Sequence, residues 1–191
     1  MDQDERRRFE RKVLPHLDAA YRLARWLTHN DEDAQDVVQD AVMRALRYFH
    51  GFRGENARPW LLQIVRNACW TWLRVNRPPE LVSLSSDEDD APPEPQAPAR
   101  DEPDVAAAGA DDRVRVNRAL AALPVRLREV LVLRELEDLS YHEIATIADV
   151  PVGTVMSRLS RARAQLREGL LFQERPVLRA VPRTSVEKTS P

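Results

Sequence analysis

Residues 81–112 constrain the fold of this chain more than any other stretch. They read LVSLSSDEDDAPPEPQAPARDEPDVAAAGADD and carry ten acids against the single cation Arg100, with five of the chain's 14 prolines. After Leu84 almost no large apolar side chain remains, so the segment cannot bury enough surface to offset its ordering entropy. It is predicted to be a flexible, acidic, proline-rich linker. Whatever folds must therefore fold as two small units, at residues 1–80 and 113–172. The tail at 173–191 has prolines and scattered charges and is expected to be mobile.

The linker also explains the charge. The chain as a whole carries −2, but residues 1–80 sum to +2, the linker to −9 and residues 113–191 to +5. Two mildly basic units are hidden behind one acidic segment, which is the distribution expected of a nucleic-acid binder. Both units show helical periodicity and neither sustains a strand-like alternation, so the fold class is all-α. The single cysteine, Cys69, suits a reducing cytosol. The charged N-terminus does not resemble a secretory signal. A cytoplasmic location follows as the expectation.

Residues 139–166, LSYHEIATIADVPVGTVMSRLSRARAQL, read as two short helices joined by a tight turn. Ser140 and Glu143 make an S-x-x-E capping box at the start of the first helix. Asp149, Val150 and Pro151 interrupt it. In the second helix Val155, Leu159, Ala162 and Leu166 form an apolar stripe. Thr154, Ser157, Ser160, Arg161 and Ala164 point away from it, and Met156, Arg158 and Arg163 flank it. Small hydroxyls allow close approach to base edges, and arginines bind guanine edges or phosphates. An amphipathic surface helix would share these charges, but the capped first helix, the turn and the acid-free span 151–167 together favour a helix-turn-helix.

Residues 1–80 show three helical patterns. One spans about 4–28, with Leu14, Leu17, Tyr21, Ala24 and Leu27 on one side and a break expected near Pro15. The second follows Asn30, begins with three acids suited to a helix N-terminus, and runs its stripe from Ala34 to Phe49. Its far side carries Asp36, Gln39, Asp40 and Arg44. The third starts near Pro59, with Leu61, Ile64, Val65, Ala68 and Trp72 as its buried stripe. Its other face offers Arg66, Asn67, Trp70 and Arg74, and Trp60 stands near its start. Rings that stack on bases, interleaved with cations that hold phosphate, suit unpaired DNA. An exposed Asn can read a splayed base edge. Trp60 fits core packing equally well.

The residues DEDAQDVVQDAVMRALRYF, FRGENARPWLLQIVRNACWTWLR and ALPVRLREVLVLRELEDLSYHEIATIADVPVGTVMSRLSRARAQL together carry a family resemblance. The chain resembles the extracytoplasmic-function (group IV) sigma factors of the sigma-70 family of bacterial RNA polymerase, over roughly 10–78 and 113–170. The resemblance implies a region 2 domain and a helix-turn-helix region 4 domain on a linker. Core RNA polymerase and promoter DNA are the implied partners, and an anti-sigma factor is common in the family. It implies that Asp36, Gln39, Asp40 and Arg44 dock on the clamp coiled coil of the polymerase's largest subunit. Trp60, Arg66, Asn67, Trp70 and Arg74 would take the single strand of the −10 element, with the 51–57 loop matching one that pockets a flipped base. Thr154, Ser157, Arg158, Ser160, Arg161 and Arg163 would read a −35 element. Met156 and Ser160 stand where many members carry a basic and a bulkier residue, so no −35 sequence is assigned.

The competing readings are a dimeric helix-turn-helix regulator that is not a polymerase subunit, and an interaction protein that leaves promoter DNA untouched. An enzyme fits worst: His16, His29, His50 and His142 are dispersed and no glycine-rich phosphate loop is present. No metal or cofactor is expected. A flexible linker of this length spans roughly 30 Å relaxed and roughly 110 Å at full stretch. Promoter sites at least about 70 Å apart would stretch it well beyond its relaxed size. The free protein is therefore expected to be compact, with the acidic linker available to basic DNA-binding faces, and to be opened by polymerase.

Overall fold

The computed structural model describes residues 2–76 and 108–173, and every regular element among them is helical. The linker expectation lies outside the described residues over 81–107, whereas 108–112, also expected to be linker, are helical; the tail expectation lies outside the described residues beyond Gln173, which still ends a helix.

The N-terminal unit opens with α1 (Gln3–Val13), started by Asp2, whose carboxylate accepts from Glu5 N at 2.7 Å. Pro15 then sits in a 3-10 turn, Leu14–His16, before α2 (Leu17–Thr28). The break expected at Pro15 is there, and it resets the helical phase. Leu14, placed on the apolar stripe by the sequence pattern, is 40% exposed, while Ala20, Leu23, Ala24 and Leu27 turn inward. His29 closes α2 with φ 61°, a left-handed cap. Asn30 starts α3 (Asp31–Tyr48), accepting from Glu32 N and Asp33 N at 2.8 and 3.1 Å. Ala34, Val37, Ala41 and Ala45 are its buried positions, and their small size lets α3 lie close against α2 and α4 (Ala57–Asn76).

In the C-terminal unit α5 (Ala108–Ala121) leads into α6 (Val125–Glu135). Arg128 is fully buried, and its Nη1 donates to Ala121 O and Leu123 O at 2.8 and 3.0 Å, satisfying carbonyls at the end of α5. Next come α7 (Tyr141–Ala148) and α8 (Val152–Gln173). The capping box is complete: Ser140 Oγ accepts from Glu143 N at 3.3 Å, and Glu143 Oε2 accepts from Ser140 N at 2.9 Å. What ends α7 is Asp149, in the left-handed region at φ 54°, with Val150 N donating to Ala145 O at 3.1 Å. Pro151 then supplies the first carbonyl of α8, accepting from Thr154 N at 2.9 Å.

The two units pack against one another, α6 on α2 and α7 on α4. Every residue of α6 from Leu127 to Leu133 is buried, because the helix faces its own unit on one side and the N-terminal unit on the other. The compactness expected of the free chain is thus present among the described residues. Among the described residues, the acids that pair with basic residues across the joint are Glu129 and Glu137 of the C-terminal unit.

Candidate nucleic-acid interface

The amphipathic second helix of the turn is α8, and its stripe is confirmed: Val155, Leu159 and Ala162 are buried and Leu166 is partly buried. Met156, Ser157, Ser160 and Arg163 are exposed, and Thr154 and Arg161 are half-buried. Ser157 Oγ donates to Thr154 O at 3.0 Å, which keeps its hydroxyl against the helix. Arg158 differs from the sequence expectation. It is 6% exposed, because its position next to Leu159 turns it toward the packed side of α8. Arg163 is exposed but engaged, donating to Glu135 Oε1 of α6 through Nη2 at 2.7 Å. The outward face of α8 thus carries the exposed Met156, Ser157 and Ser160, with the half-buried Thr154 and Arg161 beside them.

On α4 the aromatic-cationic face is divided. Asn67 and Arg74 are exposed. Arg66 and Trp70 are half-buried beneath α6: Glu129 Oε1 accepts from Arg66 Nε at 2.7 Å and from Trp70 Nε1 at 2.9 Å. Arg66 also donates through Nη1 to Asn67 Oδ1 at 3.1 Å and through Nη2 to Ala148 O at 3.0 Å. Trp60 resolves toward packing. Its ring lies 4.8 Å from Phe52 and 6.2 Å from Phe49, and Phe49 meets Phe9 edge-on at 5.2 Å. Trp60 is only partly buried, and the loop residue it packs on is Phe52. That loop is held from α1, where Arg8 donates to Phe52 O at 2.8 Å and Lys12 to Glu55 O at 3.1 Å. Gly54 lies on the Phe52 ring so closely that a Cβ there would sit 2.9 Å from it. Cys69 is buried on the inner side of α4, and burial pushes its thiol up to about 12.

On α3, Asp36, Gln39, Asp40 and Arg44 are all exposed, and Arg44 pairs with Asp40 at 2.7 Å. Beside them Met43 is 57% exposed, an apolar contact in a polar face that the sequence reading passed over. The sequence reading also missed the residues that join the two units. Glu137 is fully buried and accepts from Arg22 Nε at 2.8 Å and from Arg58 Nη2 at 2.5 Å. Glu129 and Glu137 had one legible signal, acids at the start of and within the apolar run EVLVLRELEDL. Arg22 and Arg58 had none, because their partner is more than 75 positions away.

Among the described residues no helix is long and apolar enough to cross a membrane. The chain matches two family models, sigma-70 region 2 over residues 13–78 and sigma-70 region 4 over residues 113–166. It is 34% identical over 178 residues to the RNA polymerase sigma-H factor of Pseudomonas aeruginosa, covering 92% of this chain and 90% of that one. With the ECF RNA polymerase sigma-E factor of Escherichia coli K12 it shares 41% identity over 134 residues, covering 69% and 70% of the two chains. Among solved structures it resembles the sigma factor RpoE of Bartonella quintana, in complex with the anti-sigma factor NepR. The TM-score is 0.66 at 33% identity, covering 87% of this chain and 98% of that one. It also resembles CnrH in complex with the cytosolic domain of CnrY, with a TM-score of 0.61 at 26% identity, covering 89% and 91%.

Proposed function

The chain belongs to the sigma-70 family as an extracytoplasmic-function sigma factor, and from that premise we propose how its surfaces divide the work of starting transcription. It binds core RNA polymerase and directs promoter-specific initiation. The observation that carries this reading is the presence of both regions on one chain in family order, 13–78 and 113–166, each with its own polar face. A dimeric helix-turn-helix regulator would have no use for the α4 face or the α3 face. The promoter and the polymerase are the partners, the chemistry is the polymerase's, and the cytoplasm is the place of action.

Residues 1–80 act as the region 2 domain. The α3 face of Asp36, Gln39, Asp40 and Arg44, with Met43 beside it, docks on the clamp coiled coil of the largest polymerase subunit. The face of Arg66, Asn67, Trp70 and Arg74 takes the non-template strand of the −10 element as it opens. Rings supply stacking to whichever base presents itself, and Asn67 is placed to read an edge. Trp60 borders the 51–57 loop, the place for a flipped base. Residues 113–172 act as region 4, with Thr154, Ser157, Ser160 and Arg161 entering the major groove at the −35 element and Arg163 at its margin. Arg158 shapes the helix from its packed side. Residues 81–112 tether the two, and 173–191 form a tail. Because the two solved relatives are each held by a second protein, an anti-sigma partner is proposed here as well.

The test compares Arg161→Ala with Asn67→Ala in reconstituted holoenzyme. Arg161→Ala should weaken closed-complex binding to duplex promoter by roughly 10-fold, the value of about one lost base contact. Asn67→Ala should leave that step intact and slow strand opening, read by permanganate reactivity of unpaired thymines. Identical defects in both assays would contradict the division of labour.

A further inference from the structure

Trp70 and Arg66, two of the residues assigned above to the single strand, are already occupied by side chains of α6. Glu129 is fully buried and its Oε1 accepts from both Arg66 and Trp70. One turn earlier, Arg126 sets its guanidinium carbon 5.8 Å from the centroid of the Trp70 ring, while Arg66 lies 5.5 Å from the same ring. A planar cation on an indole and a carboxylate on a guanidinium reproduce, in protein, the two interactions that a base and a phosphate would make.

We propose that Arg126 and Glu129 form an internal nucleotide mimic that closes the single-strand site in the free chain, so that capture of the −10 strand requires α6 to leave α4. The proposal rests on the single-strand reading of α4. The closure is selective: it covers the stacking ring of Trp70 and the cation of Arg66 and leaves Asn67 and Arg74 of the same face exposed. Ser157 and Ser160 of the duplex-reading helix, and Asp36, Gln39, Asp40 and Arg44 of the polymerase face, remain exposed. Glu137 is the outer anchor, gripped by Arg22 and Arg58, neither of which belongs to the strand-binding set.

The latch is also poised to open. Glu129 Oε2 is buried with no hydrogen-bond partner among the described residues. A buried, half-satisfied carboxylate opposes closure, because separation returns it to water. A real nucleotide brings more than the mimic does: a full stacking face and a phosphate with every oxygen available. Polymerase, by holding region 2 and region 4 on separate promoter sites, removes the mimic from reach altogether.

The test uses the full chain without polymerase and a fluorescein-labelled random single strand of about twelve nucleotides, read by anisotropy. Arg126→Ala combined with Glu129→Gln should bind about tenfold more tightly than wild type, the size of one regained base stack. Glu137→Gln alone, which alters no residue near Trp70, should shift affinity in the same direction. Glu32→Gln removes the same charge from an exposed site and should leave binding unchanged. Acrylamide quenching, compared with a Trp70→Phe background, should rise in both opened variants. Wild-type quenching and wild-type affinity in both variants would overturn the latch. If quenching rises but the strand is bound by neither the free variants nor wild-type holoenzyme, closure stands and the single-strand reading of α4 fails.

Discussion

At the scale of single residues, the helix-turn-helix depends on its two ends. Glu143 is held below the ordinary carboxyl value of 4.5 by the Ser140 backbone N–H, then by the Ser140 hydroxyl. A carboxylate favoured by folding stabilises fully above that ordinary value, and the contribution is lost as pH falls through the lower folded value. Ser140→Ala should therefore cost about 1 kcal/mol in urea unfolding at pH 7. It should also make the loss of stability below pH 4.5 shallower. Asp149, at φ 54°, makes the turn. Asp149→Asn should be nearly neutral, whereas Asp149→Ile should cost about 1–2 kcal/mol by forcing a β-branched residue into the left-handed region. Of these two ends, the capping box was legible, because its partners are three positions apart. The left-handed residue was not, since Pro151, two positions on, already supplied a sufficient reason for the helix to stop.

Elements were read with uneven success, for a physical reason. Helices with one neighbour side, such as α3 and α8, expose their polarity as a stripe, and their apolar buried positions matched the pattern, the buried Arg158 of α8 being the exception. The run before the Pro15 turn did not match at Leu14, because a 3-10 turn advances by a different angle than an α-helix and shifts the face. The deepest failure concerned α6. Buried all round from Leu127 to Leu133, it has no stripe to read, and Glu129 looks like a surface residue until the other unit is set against it. The same logic gives a prediction for the polymerase face of α3, whose residues are exposed in the free chain. Asp36→Ala with Gln39→Ala should leave thermal unfolding unchanged within about 0.5 kcal/mol, while weakening core polymerase in a pull-down or by surface plasmon resonance. A matching loss of stability would place those side chains in packing instead. The loop beside Trp60 gives the converse case. Gly54→Ala forces a Cβ to 2.9 Å from the Phe52 ring, so it should destabilise the N-terminal unit and disturb strand opening together.

At the scale of the whole molecule, two small units bury charge against one another instead of standing apart on their tether. Domain joints of this kind, polar and ion-paired, resemble transient interfaces more than a shared core. Among the described residues the two units pack together, as anticipated from the linker length, and the acids paired across their joint are Glu129 of α6 and Glu137 of the turn after it. What the sequence could not convey was this pairing across more than 60 positions. No local pattern reports which arginine meets which glutamate. The central claim is that one chain reads a promoter at two separated places for polymerase. The most direct measurement is run-off transcription by core polymerase reconstituted with this chain on a randomised promoter library, followed by sequencing of the transcribed templates. The account predicts selected templates that share two short sequence blocks a fixed distance of about two helical turns apart, the downstream one at the site of opening. A single palindromic block, or no transcript above core polymerase alone, would contradict it.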